Sequence, residues 1–273
     1  MQAFDYRRPA TLAEALKLLE ADPEARPLAG GMTLIPTLKQ RLASPSMLVD
    51  LSGIETLKAI SKDSRAIRLG AMVTHREAAQ SSVVRAAIPA LADLAEGIGD
   101  PHVRNRGTVG GSVANADPAA DYPAAVVGLG ATVVTSRREI AGDDFFTGLF
   151  ETALEPGELL TALLFPIPDA AAYVKFPDPA SRYATVGVFV ARLGAEVRMA
   201  VTGAAPSVFR LIVTEAALEA NFSPDVIGEG VEAVVDALNA DSSAPADYRA
   251  HLIAVMARRA VAVCLARGRG DAR

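Results

Sequence analysis

The chain has 273 residues, 51% hydrophobic and 22% charged, with a net charge of −5, which is more than one domain of common size and too little for three large ones. Basic and acidic residues are interspersed with no basic stripe, which argues against a nucleic-acid partner; no apolar run reaches roughly eighteen residues and no signal-peptide core precedes Pro9, so a soluble, cytoplasmic protein without a transmembrane segment is expected. Cys264 is the single cysteine, which excludes an intrachain disulfide or a four-thiolate iron–sulfur cluster, and His75, His102 and His251 stand too far apart to seed a metal site.

Thr11 and Glu14 have capping-box spacing, and Leu12, Leu16 and Leu19 recur on one helical face until Asp22-Pro23 ends the run. Arg26–Ala29, Gly30-Gly31 and Leu34–Leu42 predict strand, tight turn and helix. Met47–Leu51 and Ile67–Gly70 predict buried strands, and Thr74 is the candidate cap of a helix running to Ala79. Val83–Ile98 predicts a short helix and a longer one split at Pro89. Gly99–Asp121, dense in Gly, Asn, Asp and Pro, reads as one long loop that holds something. Beyond it come a helix at Tyr122–Leu129, a strand at Ala131–Thr135, and a strand at Leu159–Pro166 that enters the edge of the second lobe. The last hundred residues read as strands at Ala184–Leu193 and Glu196–Gly203, then helices near Phe209–Ala220, Pro224–Leu238 and Pro245–Arg267, with a frayed tail from Arg267.

Two glycine pairs carry the chemistry. Ala29-Gly30-Gly31-Met32-Thr33 and Thr108-Val109-Gly110-Gly111-Ser112 each place consecutive backbone N–H groups beside a hydroxyl residue, a pattern suited to a pyrophosphate. Each pair is equally compatible with a tight turn and no ligand. Neither is a GxGxxG fingerprint, and there is no GKS, GKT or GxSxG, so nicotinamide-binding Rossmann, P-loop and hydrolase readings have no support.

The stretches Leu28–Pro36, Val103–Ser112, Asn115–Pro123, Tyr173–Phe176 and Ser181–Ala184 resemble, in order and spacing, the flavin subunits of molybdenum hydroxylases: the carbon monoxide dehydrogenase medium-subunit and xanthine dehydrogenase FAD-subunit family. The resemblance implies an α+β fold of the vanillyl-alcohol-oxidase type. Two FAD-binding lobes (1–56 and 57–168) would be followed by a C-terminal lobe (169–273) with a small antiparallel sheet and helices. It implies non-covalent FAD, with the pyrophosphate held by Ala29, Gly30, Gly31, Met32 and Thr33 on one side and by Thr108, Val109, Gly110, Gly111 and Ser112 on the other, and with Leu28 and Asn115 as further cofactor-binding residues. Asp121 would accept from the ribose or adenosine side, or else cap the helix at Tyr122. Leu34, Ile35, Leu160, Lys175 and Tyr183 would line the ring and its edge, Tyr183 and Ile35 shielding it. The alternatives are a half-buried strand tyrosine and a solvated lysine. His75 is a further candidate, with a plain helix-start histidine as its alternative.

The activity so implied is electron transfer within a multi-subunit oxidoreductase. A large molybdenum-binding subunit would oxidise the substrate, and [2Fe-2S] clusters on a small subunit would relay electrons. FAD on this chain would hand them to an external acceptor, in an expected dimer of heterotrimers. The rival readings are a FAD-binding assembly module without turnover and a stand-alone flavin oxidase.

Overall fold

The Thr11 hydroxyl accepts the Glu14 amide at 3.2 Å, while the Glu14 carboxylate reaches back to the Ala10 amide rather than to Thr11, so the capping spacing closes one residue early. Helix α1 (Leu12–Ala21) buries Ala15 and Leu19 against a three-stranded parallel sheet of β1 (Asp5–Arg7), β2 (Arg26–Leu28) and β3 (Met47–Asp50), in the order β1-β3-β2. A computed structural model describes residues 1–228, 231, 238–241 and 244–270.

The second sheet is antiparallel and has the order β4-β5-β10-β6-β7, from β4 (Ile60–Lys62), β5 (Ala66–Gly70), β6 (Thr132–Thr135), β7 (Glu139–Ala141) and β10 (Leu160–Pro166). The strand expected at Leu159–Pro166, β10, is present and is central in this sheet. Leu160, Ala162, Leu163 and Phe165 are all buried, as a strand flanked on both sides requires. A short helix α9 (Gly142–Phe145) and a hairpin of β8 (Phe146–Gly148) and β9 (Glu151–Thr152), none of them expected from sequence, lie between β7 and β10.

Helices α3 (His75–Gln80), α4 (Ser82–Ala87), α5 (Pro89–Glu96), α7 (Val109–Asn115) and α8 (Tyr122–Gly128) bury side chains in one core with this sheet, and α6 (Pro101–Arg106) lies against α3. Thr74 and Glu77 form a full capping box at the start of α3. The predicted loop at Gly99–Asp121 contains two of these helices. Asp100 accepts the Val103 amide with Pro101 at the first helical position, and Thr108 accepts the Gly111 amide. Gly110-Gly111 therefore sits in the first turn of a helix, and of the two pairs only Gly30-Gly31 lies outside one.

The third sheet, in the order β11-β12-β13-β14, is antiparallel throughout: β11 (Ala170–Pro177), β12 (Ala184–Leu193), β13 (Glu196–Thr202) and β14 (Phe209–Arg210). β14 takes the residues with which a helix was expected to begin, and α10 (Ile212–Ala220) follows it. Pro224–Val226 is a single 3-10 turn, and most of the helix expected to Leu238 lies outside the described residues. Helix α11 (Ala246–Gly270) covers β11 and β12, burying Leu252, Ile253, Met256, Ala257, Ala260, Val261 and Cys264. Its end is tied down: Arg267 donates to the Ala171 carbonyl at 3.1 Å and pairs with Asp93, so the expected fraying does not begin there.

The third sheet also holds the segment between α7 and α8. The Thr202 hydroxyl reaches the carbonyls of Pro118 (2.9 Å) and Ala120 (2.7 Å), and the amides of Gly203 and Ala184 donate to Pro118 and Ala119. Buried Arg249 of α11 fixes this from behind, donating to the carbonyls of Thr185 and Gly203 at 2.7 and 2.9 Å.

Candidate FAD-binding cleft

A cleft of about 580 Å³ opens where the three sheets meet, within the range of small-molecule and cofactor sites. The segment after β2 forms one wall. Gly31 has φ +73, a left-handed value that glycine adopts freely, and it swings the chain from β2 into α2 (Leu34–Lys39). Among the described residues, the N–H groups of Gly30, Gly31, Met32 and Thr33 donate no backbone hydrogen bond, and α2 begins directly after them. Such a row of free amides is an anion-binding concavity.

Helix α7 forms the opposite wall. Thr108, Gly111, Ser112 and Asn115 share one face at helical spacing and line the cleft. Val109 and Val113 occupy the other face and are buried in the core, and Gly110, also buried, borders the cleft. Val109 is thus a packing residue and not part of the cleft. The amides of this turn are already used: Val109 donates to Val73, Gly110 to Ala71, Gly111 to the Thr108 hydroxyl and Ser112 to Thr108. What α7 offers a ligand is hydroxyl and amide side chains, while the backbone donors come from the first loop.

The two walls touch. A Cβ on Gly30 would stand 2.1 Å from the Arg106 carbonyl oxygen, and one on Gly111 would stand 3.3 Å from the Ala29 Cβ. Gly110 approaches Ala71 instead: a Cβ there would meet the Ala71 methyl at 2.5 Å and its backbone at 2.7 Å, so this glycine permits the packing of α7 on the end of β5.

Ala29, Gly30, Gly31, Met32, Thr33, Leu34, His75, Thr108, Gly111, Ser112, Asn115, Asp121, Leu160 and Tyr183 line the cleft together, drawn from all three sheets' surroundings, and Gly110 borders it. Leu28 and Ile35 do not; they pack beneath Gly31, at 3.2 and 3.0 Å from where its Cβ would lie, and support the loop rather than wall the cleft. Lys175 does not line it either. Its side chain is 12% exposed and donates to Asp121, to the Gly97 carbonyl and to the Arg182 carbonyl, so it is neither a solvated charge nor a free cation facing the cleft.

Asp121 does not cap α8, because its carboxylate is taken by Lys175 and the Tyr173 hydroxyl and makes no bond to the helix. Burial pushes this carboxyl up, against the pull of Lys175 and Tyr173. Tyr183 precedes β12 in a loop rather than lying in the strand. Asp178 holds the loop by accepting the Ala180 and Ser181 amides, and Arg182 takes the left-handed conformation at φ +63. At 43% exposure Tyr183 lines the cleft while remaining accessible to solvent.

Sequence reasoning missed Arg26, Arg182 and Glu158 as lining residues. The two arginines bring positive charge suited to phosphate. Arg182 stands inside the Ser181–Ala184 motif, whereas nothing local marks Arg26, which reaches the cleft only through the pairing of β2 with β3.

His75 is 5% exposed, its ring 5.4 Å from that of Tyr122, and its Nδ1 has no hydrogen-bond partner among the described residues. Burial, reinforced by the Arg104 charge, pulls its pKa from 6.5 down to about 4. The folded state therefore refuses a proton that the unfolded chain accepts below about 6.5. Stability is complete above that pH and declines as pH falls through 6.5 towards 4, by on the order of 3 kcal/mol for a shift of this size. Urea midpoints between pH 7 and 4 should fall more steeply for the wild type than for His75→Phe; parallel slopes would show that His75 is not the group responsible.

The residues present fit a dinucleotide: free amides and arginines for phosphates, hydroxyl and amide side chains opposite, and apolar walls at Leu34, Ile98 and Leu160. Residues 2–168 match the family described as FAD binding domain in molybdopterin dehydrogenase. The chain is 35% identical to the carbon monoxide dehydrogenase medium chain of Afipia carboxidovorans, over 98% of each. It is 28% identical to the xanthine dehydrogenase FAD-binding subunit of Escherichia coli O157:H7, over 97% of each. Its fold superposes with a TM-score of 0.90 and 34% identity on a chain of reconstituted CO dehydrogenase from Oligotropha carboxidovorans, covering 97% of this chain and 99% of that one. With a fold, a cleft and a full-length likeness that agree, the chain belongs to the family of FAD-binding domains of molybdopterin dehydrogenases.

Proposed function

We propose that this chain is the electron-transfer subunit of a molybdenum hydroxylase, receiving electrons from iron–sulfur clusters on a small partner subunit and passing them to an external acceptor. A large molybdenum-binding subunit would oxidise the substrate, and the assembly would be a dimer of heterotrimers. The observation that carries this is the open row of amides at Gly30–Thr33, facing the Thr108, Ser112 and Asn115 side chains in a chain whose relatives are medium chains along their whole length. FAD, when bound, supplies redox chemistry that can link one-electron centres to one- or two-electron acceptors.

The chain's own residues bind and orient. Gly30–Thr33, with Arg26 and Arg182, would hold the phosphates, and Ser112 and Asn115 would fix them from the other side. Leu34, Ile98 and Leu160 would exclude water from the ring, with Tyr183 laid over its open face. The three lobes, 1–56, 57–168 and 169–273, would each contribute one wall. His75, neutral throughout the physiological range, could offer a hydrogen bond without adding charge.

The cofactor should be non-covalent. Cys264 is buried with its thiol pushed up to about 11, too inert to attach a flavin. Acid precipitation of the purified chain saturated with FAD should release all the yellow chromophore into the supernatant. Colour that stays with the pellet would contradict this, and a chain that takes up no FAD would sink the functional reading.

A further inference from the structure

Beside Leu159 and Leu160, the residue before them in the chain also borders the cleft and carries a carboxylate. The Glu158 side chain is fully shielded from solvent, and it accepts from the Thr135 hydroxyl at 2.6 Å, the Glu155 amide at 2.9 Å, and Arg138 Nε and Nη2 at 3.2 Å each. Burial alone would raise its pKa, but the bonds from Arg138, Thr135 and Glu155 outweigh that and bring it down to about 2. An ionised group held in this polar cage at a strand end calls for a reason beyond packing, because replacing a buried ion pair with hydrophobic side chains of like volume is often neutral or stabilising.

The reason is visible in what Glu158 fixes. The turn Glu155–Glu158 closes through the Glu158 amide on the Glu155 carbonyl at 2.9 Å, with Gly157 at φ +74. Leu159 then pairs with Ser136 in both directions, at 2.8 and 3.1 Å. Immediately afterwards the register of β10 on β6 slips: Leu160 faces Thr135, yet Ala162 faces Val134, leaving Thr161 as the extra residue of a bulge. The Thr161 hydroxyl donates to Val134, and its carbonyl accepts the Ala71 amide at 2.9 Å. Ala71 is the residue against which Gly110 packs. One carboxylate thus joins the β6 end, the bulge and the seat of α7, and the bulge places Leu160 in the cleft.

We propose that Glu158 is a positioning residue for the flavin, setting through Thr135 and the Thr161 bulge the height at which Leu159 and Leu160 meet the ring. This rests on the FAD reading above. The test compares the full chain with Glu158→Gln, Thr135→Val, Leu160→Ala and the double variant E158Q/L160A, titrating each with FAD and recording the visible flavin band. E158Q should weaken FAD binding roughly tenfold, the order expected for a lost charge-assisted hydrogen bond, and should shift the band in the direction of L160A. T135V should do the same to a smaller degree. The double variant should shift no further than L160A alone, since both act on one contact. Should E158Q not fold, T135V with L160A carries the comparison. Wild-type affinity and band in E158Q and T135V, or shifts that add in the double variant, overturn the inference while leaving the cofactor in place. A wild-type chain that binds no FAD overturns the cofactor reading and this inference with it.

Discussion

Gly30→Ala should give a folded chain that no longer retains FAD. The new Cβ would stand 2.1 Å from the Arg106 oxygen, 2.7 Å from its carbonyl carbon and 2.7 Å from the Gly107 Cα, all backbone atoms that cannot swing aside. The first loop must therefore part from the α6–α7 junction, and the two groups of ligand-facing atoms separate. Overpacking of this kind costs up to about 3 kcal/mol, which taken from binding is roughly a hundredfold in affinity. Gly30 is only half-buried and lies in a loop outside any helix or strand, so thermal unfolding should change little. Gly110→Val should fail differently: its obstacle is the Ala71 backbone, so it should unfold the seat of α7 and lower the melting temperature before flavin is considered. Flavin-to-protein ratio at saturating FAD, beside a circular dichroism melt, separates the two. Full flavin content in G30A would show that the loops need not touch to hold the cofactor.

The second large effect concerns turnover. The isolated chain should oxidise no substrate of the parent enzyme, and substrate-dependent dye reduction should appear only when the molybdenum and iron–sulfur subunits are both added. With a single buried cysteine, this chain cannot supply the thiolates of a cluster. Flavin bleaching by substrate should likewise require both other subunits. Turnover by the isolated chain at the rate of the complex would promote the stand-alone oxidase reading, and flavin that never bleaches in the full complex would promote the assembly module.

The elements with strong local signals are legible in the sequence. Thr74 as a helix cap, the break at Pro89, and the strands β12 and β13 each appear close to where the pattern puts them. Gly99–Asp121 reads wrongly because its composition is that of a loop. Asp100-Pro101 and Thr108 are caps, and short helices rich in Gly, Asn and Arg show little apolar periodicity. Most of the residues singled out through motif and spacing line the cleft. The exceptions share a cause: Leu28, Ile35, Val109 and Lys175 lie one residue or one face away from the cleft, and which face turns inward is decided by tertiary packing that no local pattern records. Glu158 escapes a reading of the sequence because a lone Glu before an apolar strand has the same local signature as any solvated turn residue. Its partners Thr135 and Arg138 come from a strand pairing distant in sequence.

The bonds from the third sheet to Pro118, Ala119 and Ala120 have a consequence for how the chain is made. A nascent chain that has emerged from the ribosome only as far as β10 already owns every glycine of the cleft, yet the Pro118 and Ala120 carbonyls still lack Thr202, and the Ala184 and Gly203 amides that steady the same segment have not been synthesised. Arg249, which braces those strands, arrives later still. Until then the Asn115–Asp121 wall is free to sample other shapes, and Lys175 is not yet present to receive Asp121. Tight capture of the cofactor is therefore a late event in the life of this polypeptide, reached when its last helix docks.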